Sequence, residues 1–124
     1  MKNLVLLSFL TLSSALSFAQ LKEVKYKDGD KELKGLITKI SKSKQGVLIL
    51  PAWKGIDDEA RQAALDLEKQ GYTAFIADIY GVANTPKDNA EAKTASSYYK
   101  ENFKEYQKRI KIALDEFIKQ GAKF

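Results

Sequence analysis

Among the residues of this sequence that could do chemistry the carboxylates come first, because two of the most reactive side chains, cysteine and histidine, are missing. The 124-residue chain contains no cysteine and no histidine. That excludes a thiolate nucleophile, a cysteine metal cluster and the imidazole that most often serves as general base or metal ligand. Two acid pairs remain, Asp57 with Asp58 and Asp28 with Asp30. Carboxylate pairs can hold a divalent cation. Asp57 and Asp58, however, stand where a helix should begin, and acids there cap free N–H groups and suit the helix dipole. Asp28 and Asp30 flank Gly29 as the residues of a tight turn. Both pairs therefore read as structural, and no metal site is expected. Asp78 closes an apolar run and reads as a strand-end carboxylate bonded to loop backbone. No Gly-x-Ser-x-Gly elbow or glycine-rich phosphate loop occurs, and no cofactor is implied.

The elements that would position such groups are organised around Gly46-Val-Leu-Ile-Leu-Pro-Ala-Trp-Lys-Gly55. Residues 47–50 form an apolar run bounded by Gly46 and Pro51, the pattern of a short strand buried on both faces in a parallel sheet. Pro51 lacks the N–H that a ladder needs and ends it. Ligands of open α/β sheets bind just past the carboxyl ends of the strands, which directs attention to residues 51–55. Trp53 lies in this loop and either walls a pocket or packs over the start of the next helix.

Before this stretch, residues 23–28 alternate polar and apolar, and a second strand is expected over 33–40, so the two make an antiparallel hairpin at a sheet edge. After it, residues 57–70 predict an amphipathic helix with Ile56, Ala60, Ala63, Ala64 and Leu67 on one face and Gly71 as its stop. Residues 73–79 predict a second buried strand, completing a βαβ unit with parallel strands and a right-handed crossover. Residues 82–95 read as a loop with a short helical turn. A long helix over 99–119 carries the apolar stripe Tyr99, Phe103, Tyr106, Ile110, Ala113, Leu114 and Phe117, and ends at Gly121. The strand that this helix should deliver to the sheet is not reached by Phe124. The strand at 47–50 is therefore expected to lack a neighbour on one side. The fold class is α/β: an antiparallel hairpin followed by a βαβα unit with a parallel central sheet.

Composition narrows the function classes. The 21 Lys and Arg against 16 Asp and Glu give a net charge of +5. These lysines alternate with acids along the elements, the pattern of a solvated face, so nucleic acid is not an expected partner. Residues 1–19 predict a secretory signal peptide: Lys2 as the basic region, an apolar run over 4–12, and Ser17-Phe18-Ala19 placing small residues at a cleavage site after Ala19. Serines and Thr11 interrupt that run, which is too short to span a bilayer comfortably, so no stable membrane anchor is expected. Export to a periplasm or beyond the cell follows, with residues 20–124 as the mature domain.

Together with the Gly71-Tyr-Thr-Ala-Phe-Ile-Ala-Asp-Ile-Tyr-Gly81 segment, the 46–55 stretch resembles the N-terminal half of the dienelactone hydrolase family. These are α/β-hydrolase-fold enzymes that cleave esters and lactones. The resemblance runs over residues 23–124, and the Gly-Tyr-x-Ala-x-x-x-Asp-x-Tyr-Gly segment is its most specific part. It implies that the backbone N–H of Trp53 is one of the two donors of an oxyanion hole, and that Ala52, Trp53 and Lys54 border the substrate pocket. The family often carries a glutamate at the position of Ala52, so control of the nucleophile should differ here. In the family, the nucleophile elbow and the catalytic Asp and His lie further on than these residues reach.

Two functions follow as expectations. The first is a secreted ester or lactone hydrolase of which these residues are the N-terminal portion, inactive alone and completed by a C-terminal half. The second is a non-catalytic secreted binding domain built on half a hydrolase fold, its open sheet edge covered by a partner.

Overall fold

The structure, a computed structural model, describes residues 21–43 and 45–124; the expected signal peptide lies outside the described residues. The chain opens with a hairpin. Lys22–Asp28 (β1) and Lys31–Ile37 (β2) pair antiparallel from Lys22 opposite Ile37 to Asp28 opposite Lys31. The two-residue turn at Gly29 and Asp30 fixes this register. The second strand consequently starts at Lys31 rather than Leu33, and it ends at Ile37 rather than Ile40. Val24 and Tyr26 of β1 share a buried face with Leu33 and Ile37 of β2, as period-two alternation requires.

Gly46–Ile49 (β3), the helix Asp58–Lys69 (α1) and Thr73–Ile76 (β4) form the expected βαβ unit. The two strands are parallel, in register from Gly46 opposite Thr73 to Ile49 opposite Ile76. β4 also pairs antiparallel with β2, which gives the sheet order β1-β2-β4-β3. The sheet is thus mixed, with one parallel pair. β2 and β4 are its interior strands, and β4 is buried throughout, whereas the residues of β3 are only half-buried. Among the described residues no strand pairs with the outer edge of β3, which is why its apolar run is less covered than its pattern implies. The Lys123 carbonyl accepts from the Gly46 N–H at 2.8 Å and closes one end of that edge.

Alternation along β4 sends Ala74 and Ile76 to one face and Phe75 to the other. The first face packs on Ala60 and Ala64 of α1. α1 is capped by Asp57, whose side chain accepts from the Ala60 N–H at 3.0 Å. It closes with paired bonds from Gly71 N–H to Glu68 O (2.9 Å) and from Tyr72 N–H to Leu67 O (3.0 Å). Ala63, expected on the buried stripe, is exposed. It lies about 100° around the helix from Ala64, at the rim of the stripe.

The opposite face carries the larger core, built from the hairpin, Phe75, Ala113 and Phe117. Two helices cover it where one was expected. Asn89–Glu101 (α2) spans the end of the segment read as a loop with a short helical turn and the start of the expected 99–119 helix, and Phe103–Lys119 (α3) follows after a break at Asn102. The start of α2 is specified locally. The Asp88 side chain accepts from the Glu91 N–H (2.8 Å), and the Glu91 side chain accepts from the Lys87 N–H (2.7 Å). At the break Asn102 leaves helical geometry, with φ −108 and ψ 56, while its N–H and its side-chain amide both donate to Tyr98 O. Within the sheet, Gly35 of β2 leaves room for its neighbour β4, since a Cβ there would sit 2.5 Å from the Phe75 ring and 2.7 Å from the Ile76 carbonyl oxygen.

One ion-pair network ties α3 to the hairpin. Asp28 accepts from Lys108 at 2.9 Å and from Arg109 Nε at 2.7 Å, and Arg109 is buried. Lys108 foremost, with Arg109, holds the Asp28 carboxyl below its usual range against the opposing effect of burial. A depressed carboxylate stabilises the fold fully above the ordinary carboxylate value of about 4, and that stability is lost as pH falls through the folded value. Urea midpoints for Asp28→Asn should therefore decline less between neutral pH and pH 3 than those of the parent chain. An unchanged acid limb would show that other carboxylates set it.

Candidate functional site

The carboxyl ends of β3 and β4 lie side by side, joined by the bond from Ala77 N–H to Ile49 O at 2.9 Å. Past Pro51 the chain folds residues 52–55 into a turn closed by Gly55 N–H donating to Ala52 O at 2.9 Å. Gly55 is buried at φ +82, a backbone region that costs other residues about 1–2 kcal/mol. The peptide plane links this closure to chemistry. The Ala52 carbonyl and the Trp53 N–H belong to one trans peptide and point in opposite directions. Fixing the carbonyl therefore aims the N–H outward from the turn. Among the described residues the Trp53 N–H donates to no protein group.

The next peptide is held from the other strand. Tyr80 donates its hydroxyl to Trp53 O at 2.8 Å. Burial raises the Tyr80 pKa, with Tyr106 and Tyr99 adding to the shift, so the phenol keeps the proton it donates. Tyr80 is placed by residues on either side of it. Asp78 accepts from Gly81 N–H and Lys34 N–H, both at 2.9 Å, and Arg109 donates to Ile79 O at 2.8 Å. Both Asp78 oxygens are thus committed to backbone, as its strand-end reading implies. Tyr80→Phe should cost about 0.5–1.5 kcal/mol, the net worth of one such bond. It should also alter the emission of Trp53, the single tryptophan of the chain. An unaltered spectrum would mean that the turn holds itself.

Beside this turn lies a cavity of ≈ 330 Å³. Pro51, Ala52, Trp53 and Gly55 form one side, and Tyr80, Tyr99, Phe103 and Tyr106 face them, with Ser96 and Lys100 at the α2 side. Ala52 and Trp53 therefore border the cavity. Lys54 does not; its ammonium lies 5.8 Å from the centroid of the Trp53 ring. The aromatic residues of α2 and α3 read as core in the sequence because their spacing fits a buried stripe. Phe103 is instead 57% exposed. The break at Asn102, which turns the two helices about the cavity, has no periodic signal. Among the described residues no cluster of three or more acids could hold a metal ion, and no helix is long and apolar enough to cross a membrane.

A backbone N–H free of protein partners, in a turn that borders an apolar cavity at strand ends, is the kind of donor that can stabilise a developing oxyanion. Comparison with known proteins gives the family and the fold. The model of the dienelactone hydrolase family matches residues 33–123. Among solved structures, one described as m3DLH superposes with a TM-score of 0.68 at 25% identity, over 77% of this chain and 41% of its own. The dienelactone hydrolase-like promiscuous phosphotriesterase P91, from metagenomic libraries, superposes with a TM-score of 0.68 at 28% identity and the same coverage. The chain thus spans about two fifths of the length of these structures. No curated protein matches it. With the family model matching nearly three quarters of its residues, the chain belongs to the dienelactone hydrolase family.

Proposed function

We propose that these residues form the oxyanion-hole and pocket portion of an exported ester or lactone hydrolase. The observation that carries this reading is the 52–55 turn, which aims the Trp53 N–H beside an apolar cavity at the carboxyl end of β3. In acyl transfer a nucleophile adds to the ester carbonyl, the carbonyl oxygen gains charge, and the alkoxide leaves with a proton from the catalytic acid. The Trp53 N–H would supply one of the two donors to that oxygen. The nucleophile, base and orienting acid would come from a complementing C-terminal portion; this chain itself has no cysteine to supply a thiolate and no histidine to serve as base. The free edge of β3 is where further strands would join. Export rests on Lys2, the apolar run at 4–12 and the small residues before position 20.

Two preparations test the reading. The chain alone should not hydrolyse 4-nitrophenyl acetate above buffer. A chimera in which residues 21–124 replace the superposed portion of P91 should hydrolyse it. Turnover by the repurified chain, or a folded but inert chimera, would refute the proposal.

A further inference from the structure

We infer that the cavity beside the 52–55 turn takes a single-ring aromatic carboxylate, making esters that carry such a group the substrate class of this site. The inference rests on the hydrolase reading for its link to catalysis, but the binding itself does not depend on it. Size comes first. At ≈ 330 Å³ the cavity is at the lower end of ligand sites, which run from about 300 to 1,000 Å³, with room for a ring and its substituents.

Chemistry of the walls comes second. Trp53, Tyr80, Tyr99, Phe103 and Tyr106 all contribute to the lining. Their rings already form a tilted series, with centroids 5.6 Å apart for Tyr80 and Tyr99, 6.3 Å for Tyr99 and Tyr106, and 6.4 Å for Phe103 and Tyr106. A flat ring continues such a series better than a puckered aliphatic one.

Charge is the third argument. Lys100 is the one ionisable cation of the lining, and no Asp or Glu lines the cavity. Among the described residues no carboxylate pairs with Lys100, an exposed lysine whose ammonium is open to a ligand anion. Lys54, stacked over Trp53 just outside, adds a second positive charge. The Ser96 hydroxyl donates to Lys93 O at 3.1 Å and the Tyr80 hydroxyl to Trp53 O, which leaves Lys100 as the charged donor for a ligand anion. The neighbouring cleft of ≈ 730 Å³ differs in kind, since Glu91 and Glu105 stand in its lining beside Lys31, Lys87 and Arg109.

Emission of Trp53, titrated in the purified chain, reads binding directly. Phenylacetate should produce a saturable change and bind about threefold more tightly than phenylacetamide, the gain expected of a solvent-exposed ion pair. It should bind about fivefold more tightly than cyclohexylacetate. Lys100→Gln should abolish the preference over the amide and keep the preference over the aliphatic acid. Lys104→Gln, which removes the same charge from an exposed residue outside the lining, should keep both. The inference is overturned by the absence of a saturable change, by phenylacetamide or 2-phenylethylamine binding as tightly as phenylacetate, or by an unchanged preference in Lys100→Gln. Hydrolysis by the chimera without this ligand pattern would sink the ligand class alone. The pattern with an inert chimera would sink the hydrolase reading alone.

Discussion

Trp53→Pro should lower kcat of the chimeric hydrolase by about 10²–10³, the usual loss when one oxyanion donor is removed. Proline deletes the N–H together with the indole ring, whose separate contribution Trp53→Ala measures. Residue 53 is the second residue of a turn closed from Gly55 N–H to Ala52 O, and proline is favoured at that position of the common turn types. The backbone can therefore keep its course while the donor disappears. Trp53→Phe retains the amide and a ring on the cavity wall, so it should keep most of the rate. The loss should fall on kcat more than on KM, because the oxyanion forms only on the way to the transition state. Equal kcat for the proline and phenylalanine variants would remove Trp53 from the mechanism.

Phe75→Ala should destabilise the chain by about 3–5 kcal/mol, a large part of the 5–15 kcal/mol that holds a typical domain together. Phe75 is fully buried, stacked on Phe117 at 5.4 Å and tilted against Tyr26 at 5.9 Å. It joins β1, β4 and α3 in one contact group. Collapse into the vacated space is blocked on one side by the backbone of β2 at Gly35, so most of the cavity would persist. Phe75→Leu refills part of the volume and should cost less than half as much. Urea unfolding followed by circular dichroism measures both; a loss under about 1 kcal/mol for the alanine variant would mean that the core repacks freely.

How much of this was legible in the sequence depends on whether a signal is local. The hairpin, α1 and β4 are marked by Gly29, Asp57 and Gly71 and by two clear periods, and they appear within a few residues of their expected positions. β4 ends at Ile76 instead of Ile79 because its ladder partners end there, a long-range fact. α2 was missed although Asp88 and Glu91 form a recognisable start signal; the polar residues before it favoured a loop reading. Arg109 was assigned to no element of the site. Its spacing of four from Ala113, and of eight from Phe117, puts it on the buried stripe, but its partners Asp28 and Ile79 are far away in sequence. The cavity was legible only on its Pro51–Gly55 side. The facing aromatics have the spacing of core residues, and only the bend at Asn102 leaves them lining open space.

The intact mass of the polypeptide isolated from its natural source tests the central claim most directly. If these residues are the oxyanion-hole portion of one hydrolase chain, the mass should be roughly twice the 13.9 kDa of the residues described by this sequence, in keeping with the two fifths that they span of m3DLH and P91. A mass no greater than 13.9 kDa would contradict it.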